Sequence, residues 1–72
     1  MPDSLYKVIE LVGSSPESWE KAVAHAVKQA SASLRDLRVA EIAQLDVHIG
    51  KDGSIEAYRA KVRISFKYEG HG

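Results

Sequence analysis

Cysteine is absent from this 72-residue chain, which excludes disulfide bridges and thiolate zinc sites. No apolar run approaches the ~18 residues that a membrane span needs. The opening Met1-Pro2-Asp3-Ser4 lacks a basic segment followed by an apolar one, so no secretory signal is expected and a cytoplasmic location is. An excess of one charge is lacking too, because ten Lys and Arg balance ten Asp and Glu. A neutral domain offers no general attraction for nucleic acid or for an anionic membrane, and neither is expected as a partner. There is no glycine-rich phosphate loop and no grouping of nucleophile and base, so the chain reads as a non-enzyme.

What is present is one small domain spanning residues 1–72. A domain of this size buries only about 60% of the surface its unfolded chain exposes. Such domains usually need a disulfide, a metal or oligomerisation to hold them. With disulfides excluded, self-association is the expected device, with a carboxylate-bound cation as an addition.

The apolar segment from Leu5 to Val12, closed by Gly13-Ser14-Ser15-Pro16, predicts a first strand. Lys7 and Glu10 interrupt it on opposite faces. Ser15-Pro16 predicts a helix start, with Ser15 as N-cap and proline at the first helical position. Ser14 and Glu17 fit a capping box one residue earlier. Trp19, Ala22, Val23, Ala26, Val27, Ala30 and Leu34 then recur at helical spacing, forming one alanine-rich stripe. Glu17, Lys21, Lys28 and Arg35 face water. Trp19 lies on the stripe and is expected in the core.

Leu37 to Ile49 predicts a second strand. Regular alternation would put Leu37, Val39, Glu41, Ala43, Leu45, Val47 and Ile49 on one face, and Arg38, Ala40, Ile42, Gln44, Asp46 and His48 on the other. Gly50-Lys51-Asp52-Gly53 predicts a hairpin turn. From Ile55 to Tyr68 the alternation is clean: Tyr58, Ala60, Val62, Ile64, Phe66 and Tyr68 face the core, and Arg59, Lys61, Arg63, Ser65 and Lys67 face away. The core therefore spans residues 5–68, and the tail at 69–72 is expected to fray.

This order gives an α+β fold, β-α-β-β, with a three-stranded antiparallel sheet of order 1-3-2 against one helix. A helix of about 19 residues is ~28 Å long, whereas a strand of about 13 residues is ~43 Å long. The second strand overruns the helix that should cover it and lies at a sheet edge. Natural proteins rarely leave such an edge bare, so neighbouring copies are expected to cover it.

The run Tyr6-Lys7-Val8-Ile9-Glu10-Leu11-Val12-Gly13-Ser14-Ser15-Pro16-Glu17-Ser18-Trp19-Glu20 resembles the opening of the dodecins. So do Leu37-Arg38-Val39-Ala40-Glu41 and the later Lys61-Val62-Arg63-Ile64-Ser65-Phe66. The resemblance implies a homododecamer, a hollow shell of 23 symmetry that binds or stores a small ligand without turnover. It also implies a flavin pocket on the long hairpin. Where flavin-binding dodecins place a stacking Trp this chain has Val39; where many place an Arg it has Asp46; where they place a Gln it has Arg59. A lost aromatic partner is worth ~1–3 kcal/mol per stacked ring in comparable contacts. Flavins such as FMN or riboflavin are therefore expected to bind weakly or not at all. The pattern of Arg38-Val39-Ala40, Asp46 and Tyr58-Arg59 resembles a non-flavin, calcium-associated branch of the family.

Asp46 and Arg59 are expected to form a cross-strand ion pair that fills the former pocket, or to bind another anion. Glu10, Glu41 and Asp46 are the candidate calcium ligands. Calcium takes six to eight oxygens and no EF-hand loop is present, so several copies would have to contribute through symmetry. His25, His48 and His71 share no ligand spacing. The outward row of Arg59, Lys61, Arg63 and Lys67 could hold a phosphate-bearing ligand, such as a nucleotide or coenzyme A. A purely structural shell and a small nucleic-acid-binding domain are the remaining readings, and the neutral charge disfavours the second.

Overall fold

In a computed structural model, which describes residues 3–68, the chain forms β1 (Tyr6–Ser15), α1 (Trp19–Ser33), β2 (Leu37–Ile49) and β3 (Ile55–Lys67). The tail at 69–72, expected to fray, lies outside the described residues, as does His71. The sheet order is β1-β3-β2, and both pairings with the central β3 are antiparallel, which is the expected β-α-β-β arrangement.

The core is small in both senses. Ala22, Ala26 and Ala30 of α1 meet Ala60, Val62 and Ile64 of β3, and all six are buried. Alanines on the helix stripe bring its backbone close to the sheet, and Gly13 of β1 shows how close. A Cβ there would land on the Ala22 carbonyl oxygen and stand 3.2 Å from the Ala26 Cβ.

That close approach corrects the expected ends of β1 and α1. Gly13 does not end the strand, and pairing with β3 continues to Ser15↔Tyr58. Ser15 is therefore a strand residue, not the N-cap. Its buried hydroxyl accepts from Glu17 N at 3.0 Å and from Ser18 N at 3.4 Å, folding Pro16 into a turn of the kind short hydroxyls favour. The N-cap is Ser18, whose Oγ accepts from Lys21 N at 3.1 Å. The helix has 15 residues, about 22 Å, so β2 overruns it by more than the sequence suggested.

The expected alternation along β2 is also corrected. Its register with β3 shifts between Leu37 and Val39, between Ile42 and Gln44, and between His48 and Ile49. Each such irregularity flips the side chains that follow. Because Ala60, Val62 and Ile64 face the helix, their partners Leu45, Ile42 and Ala40 do too. Val39, Glu41, Gln44 and Asp46 pair with Ser65, Arg63, Lys61 and Arg59 and so line the outer face. Val39 and Asp46, expected on opposite faces, share one. In β3 the expected alternation holds, except that Tyr68, expected in the core, lies past the strand and is 45% exposed.

The hairpin turns at Gly53, whose φ of 87° suits glycine. Gly53 N donates to Gly50 O at 3.0 Å, and the Asp52 carboxylate accepts from the Ser54 backbone N–H at 3.0 Å and hydroxyl at 2.7 Å.

One copy does not close on itself. The radius of gyration is 15.0 Å and the extents are 55 × 20 × 18 Å, whereas a compact chain of this length has a radius of about 11 Å. The accessible surface is 5541 Å², against about 4,400 Å² for a globular chain of this mass. Much of the excess is apolar: Val39 and Ile49 are more than 60% exposed, and Ile42, Leu45 and Ile55 are about half exposed. Among the described residues, no helix is long and apolar enough to cross a membrane.

Candidate ligand site on the outer sheet face

The helix covers one side of the sheet, and the other is built from the outward residues of β3 with their cross-strand partners. Successive rows are Ser14–Arg59–Asp46, Val12–Lys61–Gln44, Glu10–Arg63–Glu41 and Val8–Ser65–Val39. Strand alternation places the four cationic and hydroxyl residues of β3 in line, and the β2 irregularity at Ile42/Gln44 puts Gln44 and Asp46 on the same side as Val39 and Glu41.

The expected Asp46–Arg59 pair is present as a bidentate fork. Arg59 Nε donates to Asp46 Oδ1 at 2.7 Å and Nη2 to Oδ2 at 2.9 Å. The Arg59 hydrogen bonds hold the Asp46 carboxyl below the ordinary carboxylate range, aided by the charges of Arg59 and Lys61, and Asp46 in turn raises Arg59. A two-bond Arg–carboxylate contact fixes the orientation of both groups.

A second link reaches Asp46 from the helix side. The Trp19 indole N–H donates to the Asp46 carbonyl oxygen at 3.0 Å, and its ring meets Tyr58 edge-on, centroids 5.1 Å apart and planes at 78°. Trp19 is thus not a core residue as its place on the stripe suggested. It is the first helical residue and is 36% exposed, at the rim of an apolar groove of about 460 Å³ that includes Val23, Ile42 and Leu45.

Of the three candidate calcium ligands, Glu10 and Glu41 lie in one row with Arg63 between them. Arg63 Nε donates to Glu10 Oε2 at 3.0 Å, and Nη1 stands 3.9 Å from Glu41 Oε1. Asp46 is two rows away, with both oxygens engaged by Arg59. The structure therefore does not bring the three together, and no three His, Asp or Glu side chains among the described residues gather as a cation site. Glu41 is the least committed, with the longest contact and a side chain 64% exposed. His48 lies 3.4 Å from Glu56 at the hairpin mouth, far from the row of carboxylates along the chain.

Lys61 differs from the arginines on either side of it. Its cross-strand neighbours are Val12 and Gln44, and it forms no ion pair or side-chain hydrogen bond among the described residues. Val12, Gln44, Asp46, Arg59 and Lys61 line a cavity of about 240 Å³. A shallower one of about 310 Å³ lies beside Tyr6, Arg38, Val39 and Ser65. Sequence reasoning had placed Lys61 only in a general basic row. Alternation put Gln44 on the face of Asp46, but an uncharged amide carried no signal of a role there.

The dodecin family profile matches residues 5–69. The chain is 47% identical over 64 residues to the calcium dodecin of Mycobacterium tuberculosis, an alignment covering 89% of each protein. The crystal structure of that calcium dodecin, described as a calcium-chelating antigen with a novel calcium-binding site, superposes with a TM-score of 0.82 at 43% identity, covering 96% of this chain and 97% of that one. The structure of the dodecin from Streptomyces coelicolor superposes with a TM-score of 0.91 at 34% identity, covering 99% of this chain and 100% of that one. The dodecin of Thermus thermophilus is 34% identical over 65 residues, 90% of this chain and 93% of its own. With a β-α-β-β chain, a 1-3-2 sheet and a family profile matched almost end to end, this protein belongs to the dodecin family.

Proposed function

We propose that the protein is a non-catalytic, self-assembling shell, a homododecamer of 23 symmetry, that binds or buffers a small ligand and whose flavin pocket is dismantled. The observation that carries this reading is the apolar surface that one copy leaves in water: an elongated molecule with the half-exposed Ile42 and Leu45 and the more exposed Ile49 on β2. Burial of such surface is worth ~25 cal/mol per Å², and neighbouring copies can supply it where the short helix cannot.

The outer face supports the loss of flavin. Val39 offers an open aliphatic side chain, 62% exposed, where the family places an aromatic ring. The Asp46–Arg59 fork occupies the polar end.

The test combines light scattering with titration of FMN and riboflavin. A particle of twelve times 7.9 kDa that leaves flavin fluorescence unquenched is expected. A stable monomer would overturn the shell, and tight, quenched flavin binding would overturn the reading of Val39.

Calcium is the second reading, favoured by the chelating relative and by the weakly held Glu41. It requires carboxylates from more than one copy, because one copy gathers no set of three. Calcium titration of the assembled protein and of Glu41→Gln tests it. Saturable binding lost in the variant is expected if this reading holds.

A further inference from the structure

The donors on the outer face are not evenly spent. Arg63 sits between two carboxylates, and Arg59 is clamped by one. Lys61 lies between them in the sheet and forms no ion pair among the described residues; the carboxylate that its charge acts on, Asp46, is already forked to Arg59. Its row partners are an apolar side chain and an amide. Around the cavity that it shares with Val12, Gln44, Asp46 and Arg59, the formal charges leave one positive charge uncompensated.

The hydrogen-bond inventory has the same bias. Asp46 takes the Nε hydrogen of Arg59 and one from Nη2, which leaves Nη1 and the second Nη2 hydrogen without a partner among the described residues. Lys61 contributes an ammonium with no acceptor function, and Gln44 an amide N–H₂. Each Asp46 oxygen already accepts a bond. Beside the Gln44 carbonyl and the engaged Asp46 carboxylate, the cavity therefore presents an excess of donors among the described residues, and planar or tetrahedral oxyanions are the ligands that answer such a set. Its volume of about 240 Å³ admits a phosphate-sized ion with some water. It lies below the range of about 300–1,000 Å³ typical of pockets for larger organic ligands.

We propose that this cavity is a small-oxyanion site, in which Lys61 supplies the charge, Gln44 and the unused Arg59 donors supply directed hydrogen bonds, and Asp46 holds the Arg59 fork in place. The proposal rests on the reading of the outer face as the ligand-binding surface and gives that ligand a chemical class, a phosphoryl or similarly charged oxygen group. Asp46 has a double effect. It orients Arg59, and its negative charge weakens the site, so its removal as a charge should strengthen anion binding. A cation site using Asp46 would respond in the opposite sense.

The experiment is calorimetric titration of the purified protein with inorganic phosphate at low ionic strength, with particle mass measured on the same samples by light scattering. Saturable binding to the unaltered protein is expected. Lys61→Met should weaken it at least fivefold, Asp46→Asn should tighten it severalfold, and Lys67→Met, three rows from the nearest cavity residue in β3, should stay within twofold. Because every altered side chain is solvent-accessible, circular dichroism is expected to be unchanged. The phosphorus NMR linewidth of phosphate gives an independent readout in any variant that assembles poorly. Phenyl phosphate binding more tightly than phosphate, with the same dependence on Lys61, would make the site the head-group pocket of a larger ester; equal affinities would make it a site for the free ion. No saturable phosphate binding, equal losses in Lys61→Met and Lys67→Met, or weaker binding in Asp46→Asn would overturn the proposal. A failed shell would show instead in the particle mass, whatever phosphate does.

Discussion

Adding one methyl group at Gly13 should be among the most damaging conservative changes in this chain. The new Cβ would fall on the carbonyl oxygen of Ala22 and stand 3.2 Å from the Ala22 carbonyl carbon and the Ala26 Cβ. A flexible side chain could swing aside, but a helix carbonyl cannot, so α1 must lift from β1. Both alanines are buried, Ala22 completely, and lifting the helix opens the core they share with Val62 and Ile64. Overpacking of this kind costs about 1–3 kcal/mol, and a clash with backbone belongs at the upper end. A chain of this length has a total stability of only about 4–11 kcal/mol. Gly53→Ala is the matched control. There the φ of 87° makes an L residue strained, but nothing lies within 4 Å of the added Cβ, so the cost is conformational, about 1–2 kcal/mol, with helix packing intact. Urea unfolding followed by circular dichroism compares the two. Protein concentration must be matched, because association shifts apparent stability. Gly13→Ala within about 0.5 kcal/mol of the unaltered protein, or less costly than Gly53→Ala, would refute the close approach of helix and strand.

Val39→Trp should raise flavin affinity by about fivefold or more, since one stacked ring is worth ~1–3 kcal/mol and about 1.4 kcal/mol is tenfold; fluorescence quenching measures it, and no change would mean that the Asp46–Arg59 fork blocks the pocket by itself. Acid should weaken the fold through Asp46. Its folded pKa lies below the unfolded value because Arg59 bonds the charged form, so its contribution is present above the unfolded value of about 3.9 and is lost as pH falls through the folded one. Asp52, bonded by Ser54, contributes with the same sign. Urea midpoints between pH 6 and 3 should fall less steeply for Asp46→Asn than for the unaltered protein, and parallel curves would show that the fork carries no pH dependence.

Element order and sheet topology were legible in the sequence because β3 alternates without a break and the α1 stripe is continuous. Ala60, Val62 and Ile64 face the helix as the alternation required. Two features were not legible, for different reasons. The boundary at Gly13–Ser18 carries three serines and a proline, each a plausible cap or breaker, and only tertiary contact decides between them. Gly13 serves close packing, Ser15 closes a turn, and Ser18 caps the helix. On β2, three register irregularities shift which residues face outward. Leu37–Ile49 is apolar on both faces, so no periodicity marks where they fall. The Asp46–Arg59 pair was found by sequence reasoning because those two residues lie on the regular side of the Ile42/Gln44 shift. What depends on the shift is that Val39 and Glu41 share the face of Gln44 and Asp46.

The apolar groove beneath β2 separates folding from assembly. Leu45 pairs with Ala60, lines the groove with Trp19 and Val23, and is 46% exposed in a single copy. A Leu45→Lys side chain can therefore keep its ammonium in water while its methylenes cover the groove, as long lysine stems do, and an isolated copy should lose little. In a shell that uses this groove as a contact, each copy must instead bury an unpaired charge, at a cost of several kcal/mol, and symmetry repeats that cost at every equivalent contact. The expected result is a particle that dissociates while its far-ultraviolet dichroism keeps the β-α-β-β signature at high protein concentration. Light scattering across a dilution series reads the first effect and dichroism the second. A Leu45→Lys protein that assembles with undiminished mass and midpoint would show that the groove stays wet in the assembly. The burial that completes this fold would then have to come from the outer face, where Val8, Val12 and Val39 are the exposed apolar groups.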